Sequence, residues 1–197
     1  MVGPRTQLDC IFMNWYLFED DALAGCHVYS AVDGSGKAVF AEKIEAPAPT
    51  GCFVDVAKSG KMADRLYSVG TELVVSDRLS AILGASAVCR GIHQIAAQVR
   101  KAKRKIIGTY YVWYAEEEID VLDHDSANVR YVNGHVLTVR EWVLSATSIP
   151  ECDLLQAVPG AGMINQSLID RLTDEGITGC RFTQLAITGT FNRRSRF

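Results

Sequence analysis

Asp123-His124-Asp125 places two carboxylates around an imidazole, a grouping that metal-dependent phosphohydrolases and acid–base catalysts exploit. Such a metal site also needs distant histidines and an acid carried on helices. Here His27, His93 and His135 all fall in segments that read as strands or loops. An acidic, solvated turn is the simpler reading of 123–125. Glu117 with Asp120 forms a second carboxylate pair, which would serve acid–base chemistry only if a pocket raised one of the two pKa values. Cys89 and His93 have the spacing of two ligands on one helical face, yet the local sequence looks extended and zinc takes three or four ligands. Neither a metal nor a cofactor is expected, and no catalytic residue can be assigned.

The usual nucleotide and hydrolase signatures are missing: there is no phosphate-binding Gly-rich loop before a helix, no His-Glu-x-x-His and no Gly-x-Ser-x-Gly. Asp33-Gly34-Ser35-Gly36-Lys37 comes nearest, but it leads into a strand-like segment, whereas anion binding uses a helix N-terminus. The six cysteines are scattered, with no pair at ribbon or dithiol spacing, and they read as small buried hydrophobes. No apolar run reaches the roughly 18 residues of a membrane span, and residues 1–9 lack a signal-like apolar core. A cytoplasmic protein that does not contact membranes is therefore expected.

A net charge of −3 does not dictate a partner, but the charges come in blocks. Arg100, Lys101, Lys103, Arg104 and Lys105 form a basic run able to neutralise phosphates, which makes a nucleic-acid-binding module one alternative function. Without interleaved aromatics for base stacking, and in an acidic chain, a solvated turn is the simpler reading. Arg193, Arg194 and Arg196 form a short basic tail. Acids gather at Glu116, Glu117, Glu118, Asp120, Asp123 and Asp125.

The elements that must carry these blocks are mostly strands. Residues 10–18, 25–32, 38–44, 92–99, 106–115 and 178–187 are rich in β-branched and aromatic residues. Asn133-Gly134 supplies the two positive φ values of a type I′ hairpin turn. Two short helices stand out. Ser76 caps one in which Leu79, Ile82 and Leu83 share a face before Gly84, and Asn165 caps another with Leu168, Ile169 and Leu172, closed by Gly176. The Pro-rich stretch 46–51 is the best internal linker. It marks off an N-terminal strand-rich subdomain over 1–45 from an α+β domain over 52–190, or else forms a long surface loop within one continuous domain. Few helices among many strands predict an α+β fold with a largely antiparallel sheet.

Five pieces in a fixed order carry a family resemblance: Val75-Ser76-Asp77-Arg78-Leu79, Gly108-Thr109-Tyr110-Tyr111-Val112-Trp113, Val121-Leu122-Asp123-His124-Asp125-Ser126, Met163-Ile164-Asn165-Gln166-Ser167-Leu168 and Gly176-Ile177-Thr178-Gly179-Cys180-Arg181-Phe182. Over roughly residues 70–185 the chain resembles a family of bacterial immunity proteins encoded beside polymorphic toxins, formerly known as a domain of unknown function. It departs from the family pattern at Tyr114, where an Asn usually follows the tyrosine strand, and at Asn165-Gln166-Ser167, where a Val-Ser cap is commoner.

The resemblance implies a cytoplasmic protein that binds a cognate toxin domain and blocks it by protein–protein contact, with no catalytic residues of its own. Acids in such proteins mimic an anionic substrate or pair with toxin cations. Glu116, Glu117, Glu118, Asp120, Asp123 and Asp125 are the first candidates for the contact surface, with Trp113 and Trp142 as aromatic anchors. The competing reading makes these acids an ordinary loop and the tryptophans core. A hydrolase that reverses a toxin's modification, using Asp123, His124 and Asp125, is the enzymatic alternative.

Overall fold

The computed structural model describes residues 14–21, 27–32, 53–56, 62–68, 73–89, 91–101 and 105–189. The expected strand at 38–44, the turn at 33–36, the linker at 46–51 and the basic tail lie outside the described residues. In chain order the elements are β1 (Trp15–Asp20), β2 (His27–Val32), β3 (Phe53–Val56), β4 (Arg65–Ser68), β5 (Leu73–Ser76), α1 (Asp77–Gly84), β6 (Ile92–Lys101) and β7 (Lys105–Ala115). There follow β8 (Asn128–Val132), β9 (His135–Glu141), β10 (Val143–Ser145), β11 (Leu154–Ala157), β12 (Ala161–Asn165), α2 (Gln166–Asp174), β13 (Cys180–Gln184) and β14 (Ala186–Thr188). Among the described residues the protein is strand-rich, with antiparallel sheets and two short helices, a strand-rich α+β arrangement.

Six strands close into a barrel in the order β2-β3-β6-β7-β5-β4, and a second sheet runs β11-β12-β1-β13. Strand β1, from the segment expected to form an N-terminal subdomain, pairs antiparallel with both β12 and β13. Among the described residues there are also two small sheets: the parallel pair β10-β14 and the hairpin β8-β9.

Strand alternation sorts the apolar residues into three cores. Val54, Val56, Leu66, Val74, Ile95, Ala97, Val99 and Val112 fill the barrel. Their neighbours Leu73, Val75 and Trp113 point the other way, meeting Phe18, Leu154 and Ile164 of the second sheet and the apolar faces of both helices. The opposite face of that sheet packs Trp15, Leu155 and Met163 against Val121, Leu144 and Leu185. Leu73-Val74-Val75 is thus buried on both faces, which is why it reads as an unbroken apolar run rather than an alternating one.

The helices start where their caps predict. The Ser76 hydroxyl accepts from the Leu79 amide at 3.2 Å, and the Asn165 side-chain oxygen accepts from the Leu168 amide at 3.0 Å. Gly176 ends the second helix with φ +61°. Strands β6 and β7 follow the sequence reading closely. The single strand expected at 178–187 is instead two: β13 pairs with β1, while Leu185, donating to the Trp15 carbonyl at 2.9 Å, redirects the chain so that β14 joins β10.

Candidate interaction surface

The acid segment is a laced loop. After β7 the Glu116 amide donates to the Gly91 carbonyl at 2.9 Å, and the Ile119 amide donates to Gln156 O at 2.9 Å. Val121 and Leu122 are buried, and Leu122 bridges to Leu144. These apolar residues pin the backbone, so Glu116, Glu117, Glu118, Asp120 and Asp125 are left exposed on a fixed frame.

Asp123 does a different job. Its carboxylate accepts from the hydroxyls of Thr188 and Ser126 and from the Asp125 amide, while its carbonyl accepts from the Ala127 amide at 2.7 Å. The Thr188 hydroxyl, opposed by desolvation and assisted by Ser126, holds the Asp123 carboxyl below the usual range. Asp123 therefore shapes the turn, and its neighbours supply the outward charge.

His124 joins this turn to the hairpin. Its Nε2 lies 2.8 Å from Asp120 Oδ2, and its Nδ1 meets the Tyr131 hydroxyl. With Nε2–H donating to the carboxylate, Nδ1 is free to accept the phenol proton. Glu116 lies beside His93, with 3.4 Å between Oε2 and Nε2, and the His93 ring sits 5.7 Å from Tyr114. Burial, followed by the Glu116 charge, pushes the Tyr114 phenol up.

The hairpin β8-β9 turns at Asn133 (φ 51°) and Gly134 (φ +79°), as the sequence predicts. By register, Val129 faces Val139 and Tyr131 faces Val136, so these four share one face of the ribbon. Tyr131, Val132 and Leu137 are 47%, 43% and 51% exposed. The sequence reading did not single out these three exposed residues. The available signal was a two-stranded ribbon carrying apolar side chains on both faces, more than a hairpin can bury against itself.

Of the two tryptophans expected as anchors, Trp113 lies in a core and Trp142 is partly exposed. Trp113 is only 5% exposed in the core between barrel and helices; its Nε1–H donates to Ser80 Oγ at 3.0 Å, and Ser80 donates to Gln94 Oε1 at 2.7 Å. Trp142 is half-buried against the third core. Alternation sends Val112 into the barrel, which turns Trp113 outward under α1.

The basic run is also partly committed. Arg100 grips the buried Asp55 through two bonds of 2.8 and 3.0 Å and lies 4.1 Å over the Phe53 ring. Lys101 and Lys105 are exposed, while Lys103 and Arg104 lie outside the described residues. Among the described residues, no three His, Cys, Asp or Glu side chains gather as metal ligands would, and no helix is long and apolar enough to cross a membrane. Comparison with protein-family models and with curated protein sequences finds no match to this chain.

Proposed function

We propose that this protein is an immunity protein: it binds a cognate toxin domain in the cytoplasm and neutralises it by contact, making and breaking no bond of its own. The observation that carries the reading is the pairing of a pinned acid loop with an apolar ribbon. Glu116, Glu117, Glu118, Asp120 and Asp125 project from a backbone fixed by Ile119, Val121 and Leu122, and His124 joins Asp120 to the hairpin at Tyr131, which is exposed along with Val132 and Leu137. Acids on a preformed frame steer a cationic partner and set specificity, and an apolar patch next to them supplies the area that water is driven from. Seven acids against two arginines between Glu116 and Glu141 make this stretch far more acidic than the chain as a whole. The ordered motifs that resemble those of immunity proteins support the same reading.

In this proposal the partner presents Lys or Arg around an apolar centre, as the site of an enzyme acting on an anionic substrate does. The test is co-expression with the toxin domain encoded beside it. Growth should be rescued by the wild-type protein and lost with Glu116→Gln/Glu117→Gln/Glu118→Gln/Asp120→Asn/Asp125→Asn. Rescue that survives this variant would remove the acid loop from the interface, and the absence of any rescue by the wild type would remove the function.

A further inference from the structure

Strand β7 is longer than one of its two neighbours in the barrel. It pairs with β6 from Ala115 opposite Ile92 to Lys105 opposite Lys101, but with β5 only from Trp113 opposite Leu73 to Tyr110 opposite Ser76. The cause is local: Ser76 caps α1, and the chain leaves the sheet at Asp77. Residues 105–109 therefore overhang, paired with β6 on one side, and among the described residues no strand lies along the other. All five are exposed. Closing a barrel removes sheet edges, and this overhang restores one.

The side chains of the overhang are unevenly distributed. Val99 faces Gly108 and Arg100 faces Ile106, so Ile107 is the extra residue of a β-bulge. Val99 fills the barrel, which sends Gly108 inward with it and Ile107 outward; Ile106 follows Arg100, which also points out. Both isoleucines thus stand on the outer face, 54% and 37% exposed. A Cβ on Gly108 would meet nothing within 4 Å, so a second backbone has room to come alongside. At the tip the exposed Lys101 and Lys105 face each other across the ladder. Like charges directly opposite repel, and a carboxylate set between them relieves the repulsion.

We propose that residues 105–109 of β7 take an acidic, extended peptide as an added strand. Backbone groups on the open side supply the ladder bonds, Ile106 and Ile107 pack the peptide's apolar side chains, and Lys101 with Lys105 hold a carboxylate. Lysine on an edge also discourages unwanted pairing, but that role alone leaves two neighbouring isoleucines facing water. A second copy of the chain fits less well, because two overhangs side by side bring the lysines of both tips to one seam with no acid between them. A single-stranded nucleic acid would use aromatic platforms, and the ring nearest the run, Phe53, is covered by Arg100. The partner at this end of β7 is opposite in charge to the one proposed for the acid loop at its other end.

The test is fluorescence anisotropy of a labelled peptide of alternating Glu and Val added to the full chain, followed by amide hydrogen exchange of the complex. Saturable binding is expected, with exchange slowed within 105–109 and unchanged in the acid loop. The same peptide N-methylated at every residue should bind at least about tenfold more weakly, since it has lost its ladder donors. Lys101→Glu/Lys105→Glu should weaken binding at least about fivefold and turn the preference toward a peptide of alternating Lys and Val. No binding, undiminished binding of the N-methylated peptide, or equal binding of the Lys-Val peptide by the wild type would overturn the proposal. So would protection of 105–109 by self-association, or binding of single-stranded RNA or phosphatidylglycerol vesicles but not of the peptide. None of these measurements involves the toxin.

Discussion

The Thr188 hydroxyl donates to the Asp123 carboxylate, fastening the end of β14 to the acid loop at the point where that loop turns toward the hairpin. Asp123→Ala should free the turn. Amide exchange at Asp125, Ser126 and Ala127 is expected to speed up, while exchange in the barrel strands stays as it was. Thr188→Val should produce a smaller change at the same amides. The Asp123 carboxyl sits below its ordinary range, so its contribution to the turn is present above the unfolded-state pKa of about 4 and is lost as pH falls through the lower folded value. Exchange at these amides should therefore resemble that of Asp123→Ala only in acid, once the intrinsic pH dependence of exchange is corrected for.

Asp64 should matter more for global stability. It accepts from Ser76 Oγ at 2.8 Å, from Arg78 Nη2 at 2.9 Å, and from the amide and hydroxyl of Thr178 at 3.0 and 2.9 Å, linking the α1 cap to the chain entering β13. Burial pushes this carboxyl up, but the bonds from Arg78, Ser76 and Thr178 together outweigh it and hold the group below its ordinary value. Asp64→Ala is expected to cost about 1–3 kcal/mol in denaturant unfolding. The stabilisation from Asp64 exists above about pH 4 and disappears as pH falls through the depressed folded value, so the variant's deficit should shrink in acid.

Arg65 joins the barrel to the second sheet. It is buried, donates to Phe18 O at 2.6 Å and Asp20 Oδ1 at 3.0 Å, and lies 4.2 Å over the Phe18 ring. Burial pulls the guanidinium pKa down, with Asp20 opposing. Arg65→Ala leaves Asp20 without its partner and should cost about 3–5 kcal/mol by thermal or chemical unfolding. Arg65→Lys should not restore the wild type, because one ammonium cannot span both acceptors in the guanidinium geometry. Gly179 packs against the same residue with φ +80°, and a Cβ there would lie 2.3 Å from Arg65 O. Gly179→Ala is expected to destabilise by about 2–4 kcal/mol.

How much of this was legible in the sequence follows the range of each interaction. Ser76, Asn165, Asn133-Gly134 and Gly176 act within a few residues of themselves, and their caps and turns form where the sequence places them. The two-sided burial of Leu73-Val74-Val75 shows in composition but does not say what lies on each side. Insertion of β1 between β12 and β13, barrel closure through the parallel pairs β2-β4 and β3-β6, and the split at Leu185 all join residues far apart in the chain. Periodicity carries no information about such partners. The acids were legible as a block, but the division of labour between Asp123 and its neighbours depends on Thr188, which no local pattern connects to it. Trp113 shows the same limit: aromatic content marked it, and only the barrel register decides which way it points.

The hairpin separates contact from stability. Tyr131, Val132 and Leu137 lose little water-excluded area in the free protein, so Val132→Ser/Leu137→Ser should move Tm by no more than about 2 °C. In the complex the same double variant should weaken toxin binding by at least about tenfold, measured by calorimetry.

Binding of the purified protein to the toxin domain proposed as its partner, compared between wild type and the variant with Glu116, Glu117, Glu118, Asp120 and Asp125 converted to amides, addresses the proposed function most directly. Wild type should form a salt-sensitive complex, and the variant, melting within a few degrees of it, should bind at least about 100-fold more weakly. Equal affinity for the two proteins, or no complex with wild type, would contradict it.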